Sequence, residues 1–274
     1  MIAAAFRGEM RKLWKRPATW VTLGLFGLIT LTDLVGPYRD ARKNPDAPFL
    51  LPDAWSQILG EEITVGFIFS SVLVILLVAA EFSWRTARQN VIDGLSKTQW
   101  YSAKLLLLPF LTALFLALRV VVGGLLALAG TDLSAGATLF GTVQLSALGG
   151  MFLTGLGYSS LALFAALAIR SSGPAMALWF AWFAFGERML VGGVGKVFED
   201  LRPVLRWAPV MTFDRLRDYV QYDPEALRKV AEWAVENEQP VPELEALGPA
   251  IAGSIGWIAG LTLLGWLWYR RRNL

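Results

Sequence analysis

The chain has 274 residues, 55% of them hydrophobic, with twelve tryptophans and a mean hydropathy of +0.49, which sets it far from the globular average. It has no cysteine and no histidine, which excludes disulfides, thiolate chemistry, a Cys-ligated metal and the imidazole proton shuttle. The net charge of +3 comes from basic segments between apolar runs and not from a nucleic-acid-binding face.

Residues 1–16 read as an amphipathic helix lying on the membrane. Ile2, Phe6, Met10, Leu13 and Trp14 recur at helical spacing, with Arg7, Arg11, Lys12, Lys15 and Arg16 on the other side. A cleavable signal peptide does not fit, because the next apolar run is long enough to span and no small-residue cleavage site follows. Residues 17–191 then hold five expected spans. The first is Thr19 to Val35, closed by Gly36-Pro37 and about 25 Å long at helical rise. Residues 37–62 are polar, with three basic and five acidic residues. The second span is Ile63 to Ala80.

Residues 81–104 are the one long polar interruption in this half. They read as a short basic helix, Ser83 to Ile92, a turn at Asp93-Gly94 and a second helical start. Arg85, Arg88, Lys97 and Lys104 outnumber Glu81 and Asp93, which expects a cytoplasmic position. The third span is Leu105 to Ala129 and carries Arg119. The fourth, 137–169, contains Gly141, Gly149, Gly150, Gly155 and Gly157, so neighbouring helices can approach closely, for movement or for static packing. The fifth is Ala175 to Val191. In it Trp179, Trp182 and Phe183 either line a path for an apolar cargo or pack against lipid and helix.

Residues 192–248 form the longest polar stretch, an expected extracytoplasmic helical loop. Asp223-Pro224-Glu225 reads as a helix start within it. Residues 249–274 give the sixth span, Ile251 to Trp268, and a basic tail. Basic residues collect on alternate connections, so both termini are expected in the cytoplasm. The fold class is therefore an all-α membrane protein with six transmembrane helices, an interfacial N-terminal helix and a helical outer loop.

Ionisable groups inside spans are expensive and normally paired. Counted along their helices, Arg119, Glu187 and Asp33 all lie roughly 18–21 Å from the inner boundary. Arg119 is expected to pair with Glu187 or Asp33, with Arg188 turned toward the outer headgroups. Such a pair would fix helix register or form a polar gate. Neither GxxxxGK[ST] nor HExxH occurs, so the chain carries no phosphate loop of the usual kind and no zinc-protease motif.

Glu81, Thr86, Arg88, Gly94, Ser96 and Lys97, with Lys104 entering the next span, resemble the signature of ABC-2 type permeases, the membrane subunits of ATP-driven ABC exporters. The resemblance extends to the basic N-terminus, the span count and the large loop before the last span. It implies that 81–104 docks on a separate cytoplasmic ATPase, with Glu81, Arg85, Thr86, Arg88, Gly94 and Lys97 as coupling residues. It further implies two ATPase copies carrying ATP and Mg, and a second permease copy, most simply a homodimer. No cofactor or enzymatic site is expected in this chain, and the expected location is the inner membrane of a prokaryote. The substrate would be an amphipathic or lipid-like molecule or a peptide. The long outer loop, which would shape the exit or meet an extracytoplasmic protein, departs from the simplest members. It leaves open a non-transporting scaffold that passes mechanical force to such a partner.

Overall fold

The computed structural model describes residues 2–43, 49–60, 62–92, 94–131, 140–221, 232–233, 235–236 and 247–271. Among these there are helices and turns and no strand. Helix α1 (Ile2–Lys15) turns at Arg16 into α2 (Pro17–Lys43), and α3 (Ala54–Ile58) precedes α4 (Ile63–Ser83). The polar segment holds α5 (Thr86–Ile92) and α6 (Lys97–Leu105), and α6 leads into α7 (Leu107–Gly130). Next come α8 (Thr142–Ile169), α9 (Ser172–Ala181), a π turn at Trp182–Gly186 and α10 (Glu187–Val197). A 3-10 turn, α11 (Arg202–Leu205), α12 (Pro209–Gln221) and α13 (Leu247–Arg271) complete the described chain.

Five stretches are long and apolar enough to cross a membrane: Pro17–Lys43, Ala54–Ser83, Lys97–Gly130, Thr142–Ile169 and Leu247–Arg271. They mark a multi-pass membrane protein. The expected fifth span at Ala175–Val191 is not among them. The chain there is helical from Ser172 to Val197, but the π turn divides it into runs of 10 and 11 residues. The first span also differs from expectation. Its helix continues through Pro37 to Lys43, since a membrane helix tolerates proline where neighbouring groups satisfy the freed backbone.

Helices α4 and α8 are the most buried of the long helices. Glycine lets α8 sit at the centre. A Cβ on Gly155 would lie 2.6 Å from both Phe67 and Thr112, and one on Gly157 would lie 2.5 Å from the Phe213 ring. Ser70 and Ser159 meet across the α4–α8 contact at 3.0 Å. Helix α2 is peripheral, burying Thr19, Thr22, Phe26, Thr30 and Leu34 on one face and exposing Val21, Leu25 and Leu28 on the other.

Beyond α10 the chain turns back, and α12 packs on both α8 and α13. The Tyr158 hydroxyl donates to Asp214, Arg217 reaches Asp214 at 3.4 Å, and Arg217 donates to the Thr64 hydroxyl at 3.2 Å. The helix start expected at Asp223 lies outside the described residues.

Candidate coupling site

One end of the bundle carries the polar segment. Helix α4 stops at Ser83 because the chain reverses through Trp84 and Arg85, and Arg85 takes a left-handed φ of 58°. The Thr86 hydroxyl donates to the Glu81 carbonyl at 3.3 Å across this turn. Helix α5 therefore begins at Thr86, three residues later than the expected Ser83. Gly94, at φ +101°, makes the next reversal without the strain a side chain would bring. Ser96 then caps α6: its hydroxyl accepts from the Gln99 amide at 3.1 Å, and the Gln99 side chain accepts from the Ser96 amide at 3.0 Å.

Only Ala87 of α5 is buried. Arg85, Thr86, Arg88 and Gln89 face outward, between Trp84 (68% exposed) and Ile92 (66%). Among the described residues Arg85 and Arg88 form no ion pair. The exposed surface is thus two guanidiniums without an ion-pair partner, flanked by two large apolar side chains.

Behind this surface lies a closed ring of four charges. Lys12 donates to Glu9 at 2.8 Å and to Glu81 at 2.6 Å. Lys104 donates to Glu81 at 2.7 Å and also to Glu9, and its third proton points at the Leu77 carbonyl 3.5 Å away. The remaining capacity of Glu81 is taken by the indole of Trp100 at 2.8 Å and the Asn90 amide at 3.3 Å. Two cations and two anions leave no net buried charge, and the close pairing offsets their desolvation. Burial alone would lower the pKa of Lys12, but Glu81 and Glu9 outweigh it and hold the ammonium above its ordinary value.

The ring joins α1, α4 and α6, and the Asn90 bond adds α5. Further contacts tie the same segment to the last helix. Trp100 stacks on Tyr269 at 4.7 Å, the Tyr101 hydroxyl donates to the Thr262 carbonyl at 2.5 Å, and Lys97 donates to the Arg270 carbonyl at 3.3 Å. Arg170, the left-handed C-cap of α8, lies 4.9 Å over Phe82. Displacing α5 would therefore load α1, α4, α6 and α13 together.

These positions revise the residues expected to touch a partner. Glu81 is fully buried in the ring and presents nothing to solvent; it holds the segment from behind. Lys97 is partly covered and already engaged with Arg270. Arg85, Thr86, Arg88 and Gly94 remain on the surface. Glu9 and Lys12 are partners of the segment that its sequence pattern does not point to. The signal present was a single acidic residue in an otherwise basic helix. Helix α1 also differs from a helix whose apolar side faces lipid. Leu13 is fully buried, Phe6 and Met10 pack on the protein core, and the Phe6 and Phe110 rings meet edge to face at 6.3 Å.

The intramembrane charges divide into two places. Arg119, fully buried, donates to Asp33 at 2.7 Å, to the Ile58 carbonyl at 2.6 Å and to the Gln57 carbonyl at 3.1 Å, with Glu62 at 3.5 Å. It pins the C-terminal end of α3 between α2 and α7. Glu187 is not part of this cluster. Its carboxylate accepts from the amides of Val210 at 3.1 Å and Met211 at 2.6 Å, and from the Trp182 indole at 3.1 Å. It thereby caps the start of α12, where unpaired amides and the helix dipole favour an anion. Similar depth along different helices does not fix which side of the bundle a residue faces. Arg188 is exposed and reaches Asp214 at 3.3 Å.

Trp179, Trp182 and Phe183 are engaged in packing. Trp179 is buried and stacks on Phe183 at 5.1 Å, while Phe183 meets Tyr158 edge to face at 5.2 Å. Trp182 is held by Glu187. Among the described residues no group of three or more acidic side chains lies close enough to hold a metal ion.

No protein-family model matches the chain, and no curated protein shows significant similarity to it.

Proposed function

We propose that the chain is the permease subunit of an ATP-driven exporter of the ABC-2 type, with α5 as the element that receives force from a separate ATPase. The observation that carries this reading is the exposed Arg85–Arg88 surface, backed by the buried Glu9–Lys12–Glu81–Lys104 ring. A solvated loop needs no such anchorage. A docking element does, because a push on a loose loop would be lost in the loop.

In this reading the helical run Ser172–Val197 is an additional span, fifth in chain order, which with the five long stretches makes six, and both termini are cytoplasmic. Two ATPase copies, with their ATP and Mg, bind beneath two copies of the permease in the cytoplasmic membrane of a prokaryote. The cargo class is an amphipathic or lipid-like molecule or a peptide. Closure of the ATPases tilts α5, and the ring carries that tilt into α1, α4 and α6.

The test is co-purification of the chain with its ATPase after exchange of Arg85 and Arg88 for glutamate. Both side chains are exposed, so membrane insertion and thermal stability should hold while the ATPase is released. ATPase retained at wild-type stoichiometry in that double variant overturns the docking assignment. Hydrolysis that responds to an extracytoplasmic protein and to no cargo would instead mark a mechanical scaffold.

A further inference from the structure

Helix α1 has a third face that neither the core nor the charge ring uses. Arg7, Arg11 and Lys15, at four-residue spacing, lie on one side of the helix and are exposed. Among the described residues none of the three has a hydrogen-bond or ion-pair partner. This separates them from Lys12, which is committed to Glu81, and from Arg16, which donates to the Leu76 carbonyl at 2.7 Å and lies 5.4 Å over Trp84.

The depth of this stripe is set by two indoles. Trp14 is three residues from Arg11 and seven from Arg7, so it sits at the edge of the apolar side of α1, where that side borders the stripe. Its ring meets that of Trp20, in the first turn of α2, at 5.4 Å, and the Trp20 indole donates to the Trp14 carbonyl at 3.0 Å. Both rings are exposed, and the Thr19 hydroxyl fixes the α1–α2 corner by donating to the Leu13 carbonyl at 2.7 Å. Exposed Trp pairs at the mouth of a spanning helix sit at headgroup depth.

We infer that the Arg7–Arg11–Lys15 stripe binds the phosphates of anionic phospholipids in the adjoining leaflet. Guanidinium groups hold phosphate oxygens in pairs, and the Trp14 side of the stripe brings them level with those oxygens. The lipid site and the α5 surface are separate: Lys12 and Arg16 lie between them, turned toward α4. The inference rests on the interfacial corner at Arg16 and not on the ATPase reading.

The test uses the full chain in nanodiscs of equal parts phosphatidylcholine and phosphatidylglycerol, followed by graded delipidation and native mass spectrometry of the retained lipid. The wild type should retain phosphatidylglycerol in preference. The triple variant R7Q/R11Q/K15Q should lose that preference by on the order of tenfold or more, since each basic residue at an anionic surface contributes to binding. R7K/R11K, which keeps the charge but loses the paired geometry, should fall between the wild type and the triple variant, and R85Q/R88Q should retain all of it. An unchanged preference in the triple variant overturns the inference. So does a triple variant that releases the ATPase with lipid retention intact, because the stripe would then face protein. ATPase binding by R85E/R88E on the same preparations reports on the coupling surface separately.

Discussion

Lys104 and Glu81 stand 23 residues apart and meet at 2.7 Å, with the whole of α5 looped out between them. The pair closes the base of the polar segment as a clasp. Lys104 is fully exchanged from water into protein contacts, so its role is structural before it is anything else.

Removing one member of that clasp leaves a buried charge without its partner. Lys104→Met should cost about 3–5 kcal/mol, read as a fall in thermal unfolding of the detergent-solubilised protein. The double variant E81Q/K104M should recover part of this loss, because the remaining Glu9–Lys12 pair stays neutral. A single variant as stable as wild type would show that the ring carries no net anchorage.

Lys12 gives a pH dependence with a definite sign. Its folded pKa is raised above the unfolded value of 10.5, so the stabilisation is complete below that pH and is lost as pH rises through the higher folded value. The stability difference between wild type and K12M should be constant between neutral pH and about 10 and shrink above it. A difference that grows with alkalinity would contradict the pairing.

Arg119 serves Asp33 and two backbone carbonyls at once, a task suited to a planar guanidinium. Arg119→Leu should destabilise by about 2–4 kcal/mol, and Arg119→Lys by nearly as much, because one ammonium cannot reach all three acceptors. Asp33→Asn should cost roughly 1 kcal/mol or less, since Asp33 is partly exposed and asparagine keeps an acceptor oxygen. Equal losses at both positions, measured by thermal unfolding, would mean that the ion pair and not the α3 carbonyls dominates.

Glu187 holds α12 by two backbone amides. Glu187→Ala should free those amides and cost about 1–2 kcal/mol, and hydrogen exchange should quicken at Val210 and Met211. Glu187→Gln should fall between wild type and alanine, because it retains one acceptor without charge. Exchange that quickens instead around Arg119 would place Glu187 in the other cluster.

Hydropathy and spacing by themselves determined the helical class, the long apolar runs, the polar segment between two of them and a second helical start within it. Each of these follows from local properties: apolar length against bilayer thickness, and a glycine turn between two helix-forming stretches; the Ser96–Gln99 capping box that starts α6 is a finding of the structure. The amphipathic pattern of α1 was equally legible, but the side it turns to the protein was not. Which charges meet was decided by tertiary structure alone. Counted along their expected spans Asp33 and Glu187 fall at similar depth, yet of the two only Asp33 faces Arg119, because a residue count says nothing of azimuth, which follows from how α2, α7 and α10 are rotated and packed. The burial of Glu81 has the same origin. Its position at the end of an apolar run looks solvated in the sequence, and it becomes interior because α1 brings Lys12 and α6 brings Lys104 and Trp100 against it.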